Sequence, residues 1–200
     1  MRPKAPRVTP LEEGDWNAEQ RELLAPIARN GQVYNIFKTL VRYPKLLKRW
    51  LPLGNHLLFK SSLTPRDREL LILRTAWLAR AEYEWGQHVV IAAREALSPA
   101  EIDRVGEGPA APGWTPGEAA LLAAADELFR DTCLSDATWG ALSQRYGTAE
   151  IMDVIFTVGA YAMLAMALNS LGVSLDQGLK GFAKRWPCRP CDERHTRAPP

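Results

Sequence analysis

The sequence predicts an all-α fold, and three observations carry that prediction. No segment alternates apolar and polar residues with a period of two between turn residues, as a half-buried strand would. Apolar residues recur instead at helical spacing, as in Leu70, Leu73, Trp77, Ala81 and Ile91. Helix starts of one type also repeat along the chain, at Thr64-Pro65-Arg66-Asp67, Ser98-Pro99-Ala100-Glu101 and Thr115-Pro116-Gly117-Glu118. Each offers a hydroxyl cap, a proline in the first turn and an acid facing the helix N-terminus. With 200 residues and 46% apolar composition, the chain suits one domain with a sizeable core.

A loose N-terminal segment is expected over residues 1–14, where proline is frequent. One helical domain follows over residues 15–183, with a mobile, basic, proline-rich tail over 184–200. The first helix is expected from about Trp16 to Arg29, ending near Gly31. A second starts near Tyr43 with Pro44 in its first turn, and Pro52 should kink or split it before Phe59. Thr64 caps a long run that reaches about Ala96. Ser98 and Glu101 form a capping box for a short helix to about Val105. After a Gly/Pro-rich loop, Thr115 opens a helix through Phe129. Ser135 or Asp136 caps the next helix, and Thr148 begins a last apolar one that Gly172 stops.

A net charge of +2 with mixed signs gives no nucleic-acid footprint. Met1 to Pro10 has basic residues but no apolar stretch behind them, so no secretory signal is expected. The run Val154 to Leu168 falls short of the roughly 20 apolar residues that span a bilayer. A cytoplasmic protein without a membrane partner is therefore expected. The three cysteines, Cys133, Cys188 and Cys191, do not suggest a disulfide framework. Cys188, Cys191 and His195 have the look of a metal half-site, but they lie in the tail and would need a further ligand.

The chemistry concentrates in Ala81-Glu82-Tyr83-Glu84-Trp85-Gly86-Gln87-His88. Glu84 and His88 interrupt an otherwise apolar stripe, and four-residue spacing puts them on one helix face. Buried there, they form either a structural pair fixing two helices or a proton donor/acceptor couple.

The stretch Leu63-Thr64-Pro65-Arg66-Asp67-Arg68-Glu69-Leu70-Leu71-Ile72-Leu73-Arg74, together with Glu82 to His88, resembles the carboxymuconolactone decarboxylase and alkylhydroperoxidase D superfamily. The resemblance extends over about Asn35 to Gly172 and implies an alkylhydroperoxidase D-like helical bundle that assembles into trimers or hexamers. In the redox branch a glutamate would fall on Glu69, two cysteines on Ala81 and Glu84, and a histidine on His88. Both sulfurs are missing, so a cysteine-dependent peroxidase is not expected. The decarboxylase branch is similar in keeping a glutamate four before the histidine. Tyr83-Glu84-Trp85 marks a separate subgroup, so the substrate does not carry over.

The resemblance implies Glu/His proton transfer, as decarboxylation or isomerisation, on a small cyclic acid or lactone. A member that has lost redox chemistry and serves as a non-catalytic helical oligomer is the alternative. The expected catalytic residues are His88, Glu84 and Glu69, with Glu69 otherwise pairing with Arg66 or Arg68 on the surface. Tyr83, Trp85, Arg66 and Arg74 are the expected substrate-binding residues. With one histidine, Glu69, Glu84 and His88 make a poor metal set, so neither metal nor other cofactor is expected. On a straight helix Glu69 and Glu84 would stand about 22 Å apart. Because the resemblance implies one site, a break is expected between Leu78 and Ala81, although no Gly or Pro marks it.

Overall fold

The computed structural model describes residues 3–28, 31–95 and 97–182, and among them the chain is helical without a β-strand. Short 3-10 turns flank α1 (Ala18–Leu24), and α2 (Asn35–Leu40) and α3 (Pro44–Phe59) follow. Then come α4 (Pro65–Ala79), α5 (Glu82–Arg94), α6 (Pro99–Val105), α7 (Pro116–Asp131), α8 (Asp136–Ser143) and α9 (Thr148–Leu171). The expected starts hold. Thr64 accepts from the Asp67 N–H, and both Ser98/Glu101 and Thr115/Glu118 close capping boxes. Ser135 caps α8, and Gly172 ends α9 at φ 74°.

Three expectations are corrected. Pro52 does not split α3, which continues to Phe59. Lys48, whose carbonyl loses its donor, lies with Pro52 on the exposed side, where water can take the donor's place. The first helical stretch is shorter than expected, because Pro26 sits in a separate 3-10 turn, and α2 went unanticipated. The segment expected to be loose is tied down. The N–H groups of Arg7 and Val8 donate to the Leu171 carbonyl at 2.8 and 3.2 Å, and that of Leu11 to Lys38 at 2.9 Å. The tail expectation, with Cys188, Cys191 and His195, lies outside the described residues.

Helix α4 forms the centre. Every residue from Asp67 to Ala76 is buried, so this helix has no solvent face and must be enclosed on all sides. It packs against α5, α7 and α9. On one side Leu71 meets Leu121, Ala125, Leu142 and Val154; on the other Leu70 and Leu73 meet Trp85, Ile102 and Leu122. Total enclosure forces the charges of α4 to find partners. Arg74 bonds Asp126 through Nε at 2.5 Å and Nη2 at 2.9 Å, and its Nη1 donates to the carbonyls of Val105 and Gly106. Asp67 accepts from Arg145 at 2.8 Å.

At 24 residues, α9 exceeds the apolar run seen in the sequence, and by length and composition alone it could cross a bilayer. Its inner face, including Val154, Thr157, Val158, Tyr161 and Ala165, is buried in the bundle. This is a core helix with one uncovered side.

The break after α4 is a left-handed residue. Arg80 adopts φ 52°, its N–H donates to Trp77, and the Ala81 N–H reaches back to the Ala76 carbonyl at 2.8 Å. This is the Schellman pattern, usually closed by glycine. A side chain there costs about 1 kcal/mol. The Asn169 amide donates to the Ala79 carbonyl at 3.2 Å, so α9 helps to hold the reversal.

Candidate active site

The reversal at Arg80 lays α5 back along α4 and brings Glu69 to His88. Glu69 Oε2 lies 2.7 Å from His88 Nδ1, and Arg68 Nε donates to Glu69 Oε1 at 3.1 Å. Because a carboxylate only accepts, Nδ1 carries the hydrogen of this bond and Nε2 is left without a bond to Glu69. Tyr161 of α9 stands edge-on to the His88 ring, with centroids 5.1 Å apart. Burial, and then the acidic side chains of Glu69 and Glu84, raise the Tyr161 hydroxyl well above its ordinary value. Arg68, Glu69, Glu84, His88 and Tyr161 are all buried. Three helices supply one polar cluster.

Glu84 behaves differently from the expected partner of His88. It is 2% exposed, and neither carboxyl oxygen has a hydrogen-bond partner. The physical reason is competition: the folded-back Glu69 takes Nδ1, which i,i+4 spacing alone would have offered to Glu84. Desolvation holds the Glu84 carboxyl well above its ordinary range, which favours its uncharged form. An unpartnered buried polar group of this kind costs about 1–3 kcal/mol and contributes no bond to the fold.

The remaining expected residues separate from this cluster. Arg66 bonds Glu101, whose carboxyl the bond holds down to about 2, and also Glu118 at 2.8 Å. Arg66 and Arg74 thus join α4 to α6 and α7, a structural position in place of the expected substrate contact. The Tyr83 hydroxyl donates to Asp176 at 2.5 Å and accepts from the Ile36 N–H and from Gln87. Asp176 also accepts from the Asn35 N–H at 2.8 Å, so Tyr83 fastens the segment after α9. Trp85 packs with Trp77 and Phe182, at centroid distances of 5.5 and 5.1 Å. Both aromatic residues are core rather than the expected pocket wall.

Glu69 is wholly enclosed, which corrects the surface alternative, although Arg68 is its partner as that alternative allowed. Arg68 was missed as a site residue because an adjacent pair carries no spacing signal. Tyr161 reaches the cluster from α9, far from His88 along the chain, so no local spacing ties it to the site. Among the described residues, no three His, Cys, Asp or Glu side chains converge to hold a metal ion. His56 and Ser62 both bond Asp153, away from the cluster. An apolar groove of about 340 Å³, lined by Leu53, Ile155, Phe156, Gly159, Ala160 and Met163, lies on the uncovered side of α9.

An all-helical bundle whose central helix doubles back to join a buried glutamate to a histidine is the alkylhydroperoxidase D type of fold. A peroxidase-related protein from Ralstonia eutropha JMP134, described as an alkylhydroperoxidase AhpD core, has a TM-score of 0.76 at 19% identity, covering 88% of this chain and 94% of its own. A peroxidase-related protein from Silicibacter sp. TM1040 gives 0.73 at 16% identity, over 88% and 95%. The debrominase Bmp8, in complex with 2,3,4-tribromopyrrole, gives 0.70 at 18% identity, over 85% and 91%. At these identities the likeness is one of fold. The carboxymuconolactone decarboxylase family model matches residues 44–127, the span holding α3 to most of α7 and therefore Glu69, Glu84 and His88. The fold is thus of the alkylhydroperoxidase D type, and the carboxymuconolactone decarboxylase family model matches its central part. No curated protein matches the sequence.

Proposed function

We propose that the protein is an acid–base enzyme acting by Glu/His proton transfer on a small cyclic acid or lactone, in the manner of a decarboxylase or isomerase. The observation that carries this is Glu84, a fully buried and unpartnered carboxyl beside a Glu69–His88 pair. A group that weakens the fold and sits next to an oriented imidazole fits a chemical role better than a structural one. In this reading Glu69 fixes the His88 tautomer, Arg68 holds Glu69, His88 Nε2 is the base and Glu84 the acid. Cysteine redox chemistry has no part, since Ala81 and Glu84 occupy the two sulfur positions implied by the family resemblance.

The enclosure of the cluster favours a second reading, a buried polar knot in a non-catalytic oligomer. His88→Ala separates the two. Turnover per folded molecule falls by about two to four orders of magnitude if His88 is the base. Unchanged turnover in a well-folded variant defeats the enzymatic reading.

The same proposal takes the protein as a cytoplasmic homo-oligomer, trimer or hexamer, that contacts neither nucleic acid nor membrane. Met152, Phe156, Met163 and Met166 are at least half exposed on one face of α9, and Gly159 and Ala160 open the groove between them. A second copy burying that face removes a large apolar patch from water.

A further inference from the structure

We infer that α2 is a lid over the polar cluster, latched shut by Asp176 and Tyr83, and that releasing it opens His88 to small molecules. This rests on the acid–base reading above, since an enclosed site that turns over must open. Its test measures access and not turnover.

The first argument is where the enclosure is thin. Glu69 is wholly buried, whereas Arg68, His88 and Tyr161 keep 7, 6 and 8% of their surface. Behind Glu69 stands the core built on Leu71, so no route runs from that side without unpacking the protein. The thinner side is the seam of α5 and α9, where the His88 and Tyr161 rings meet. Along that seam the cover is α2. Ile36 packs with Tyr83 of α5 and Leu168 of α9, and Leu40 and Leu164 lie beside them. Leu164 and Leu168 follow Tyr161 by one and two turns on the same side of α9.

The second argument is how α2 is held. Six residues make a helix too short to stand alone in water. Its first N–H groups need acceptors, and Tyr34 at the cap position supplies none from its side chain. The acceptors come from distant elements. Asp176 Oδ1 takes the Asn35 N–H at 2.8 Å, and the Tyr83 hydroxyl takes the Ile36 N–H at 3.2 Å. Tyr83 in turn donates to Asp176 Oδ2, as Gln87 does at 2.7 Å. The Asn35 amide donates to the carbonyls of Ser174 and Leu175. One carboxylate thus ties α2 to α5 and to the segment after α9.

That segment is seated closely. A methyl group on Gly86 would stand 2.8 Å from the Leu175 side chain and 2.9 Å from the Lys180 carbonyl. The α5 motif therefore divides its work: Glu84 and His88 belong to the cluster, while Tyr83, Gly86 and Gln87 hold its cover. A short helix fastened by a few polar bonds opens locally at lower free energy than the apolar core.

Diethyl pyrocarbonate, which acylates accessible imidazoles, tests this on the full chain. Mass spectrometry of the digested protein gives separate rates at His88 and at His56, whose half-exposed side chain serves as the reference. Amide hydrogen exchange on the same samples follows α2 and α4. Tyr83→Phe deletes the hydroxyl that joins Ile36 to Asp176 and keeps the ring. Gly86→Ala removes no bond and pushes the segment off α5. In each variant, acylation of His88 relative to His56 should quicken by about tenfold or more, as should exchange of α2, with α4 unchanged. Faster exchange of α2 without faster acylation of His88 overturns the inference, because the route then lies elsewhere. No change in either rate overturns the latch. Exchange of α4 that quickens by the same factor also overturns it, because His88 is then reached only by global unfolding. Turnover of His88→Ala decides the acid–base reading separately from all of these.

Discussion

Glu84→Gln should make the protein's stability less sensitive to alkali. In the folded chain desolvation keeps this carboxyl protonated well above its ordinary value of 4.5, whereas the unfolded chain releases the proton near that value. Between the two values the folded state binds one proton more than the unfolded state. Stability therefore falls as pH rises, by about 1.4 kcal/mol per pH unit. Accumulated from the ordinary value to pH 7, the penalty is at most about 3.5 kcal/mol. Glutamine fills the same space and cannot ionise, so the variant lacks this slope. A buried amide with unmade bonds adds an offset of its own, but that offset does not vary with pH. The assay is urea unfolding of both proteins at a series of pH values from 4 to 7 and one fixed concentration, since assembly contributes to stability. With a urea dependence of about 2–3 kcal/mol per molar, the midpoints should diverge by about 0.5 M per pH unit above the ordinary carboxyl range. Midpoints that keep a constant separation across the series would refute the reasoning.

Three further outcomes are expected. Arg74→Ala leaves Asp126 and two backbone carbonyls without their donor, and should lower stability by about 3 kcal/mol in thermal or urea unfolding; a change within about 0.5 kcal/mol would show that water replaces the guanidinium. Joint replacement of Cys133, Cys188 and Cys191 by serine should leave activity unaltered. Cys133 is exposed, and hydroperoxide turnover that disappears in the triple variant would contradict the cysteine-free mechanism. Phe156→Glu, placed on the uncovered face of α9, should lower the mass measured by light scattering at micromolar concentration. A wild-type protein that is already monomeric would remove the oligomer from the proposal.

Most of the helix starts were legible because they are local chemistry. Thr64, Ser98, Thr115 and Ser135 each cap a helix within three residues of sequence, and their bonds depend on nothing distant. The stop at Gly172 is equally local, since glycine takes positive φ without strain. The turn at Arg80 was legible only through family resemblance. An arginine in the left-handed region carries no sequence signal, and part of what holds it is Asn169, ninety positions away.

The candidate site divides along the same line. The sequence alone marked Glu84 and His88 as polar interruptions of an apolar stripe, and it determined that they share a helix face because helical period is a backbone property. Which acid holds the imidazole was decided by tertiary structure. Folding α5 back on α4 brought Glu69 within 2.7 Å of His88 Nδ1 and left Glu84 with no partner. The arginines expected at the substrate were likewise claimed by distant carboxylates, Arg66 by Glu118 and Arg74 by Asp126. Total burial of α4 leaves each charge only the neighbours that packing supplies, and packing joins residues by distance in space. Spacing along a helix measures nearness within one element; only the crossing of elements selects which of several acids a buried base will meet.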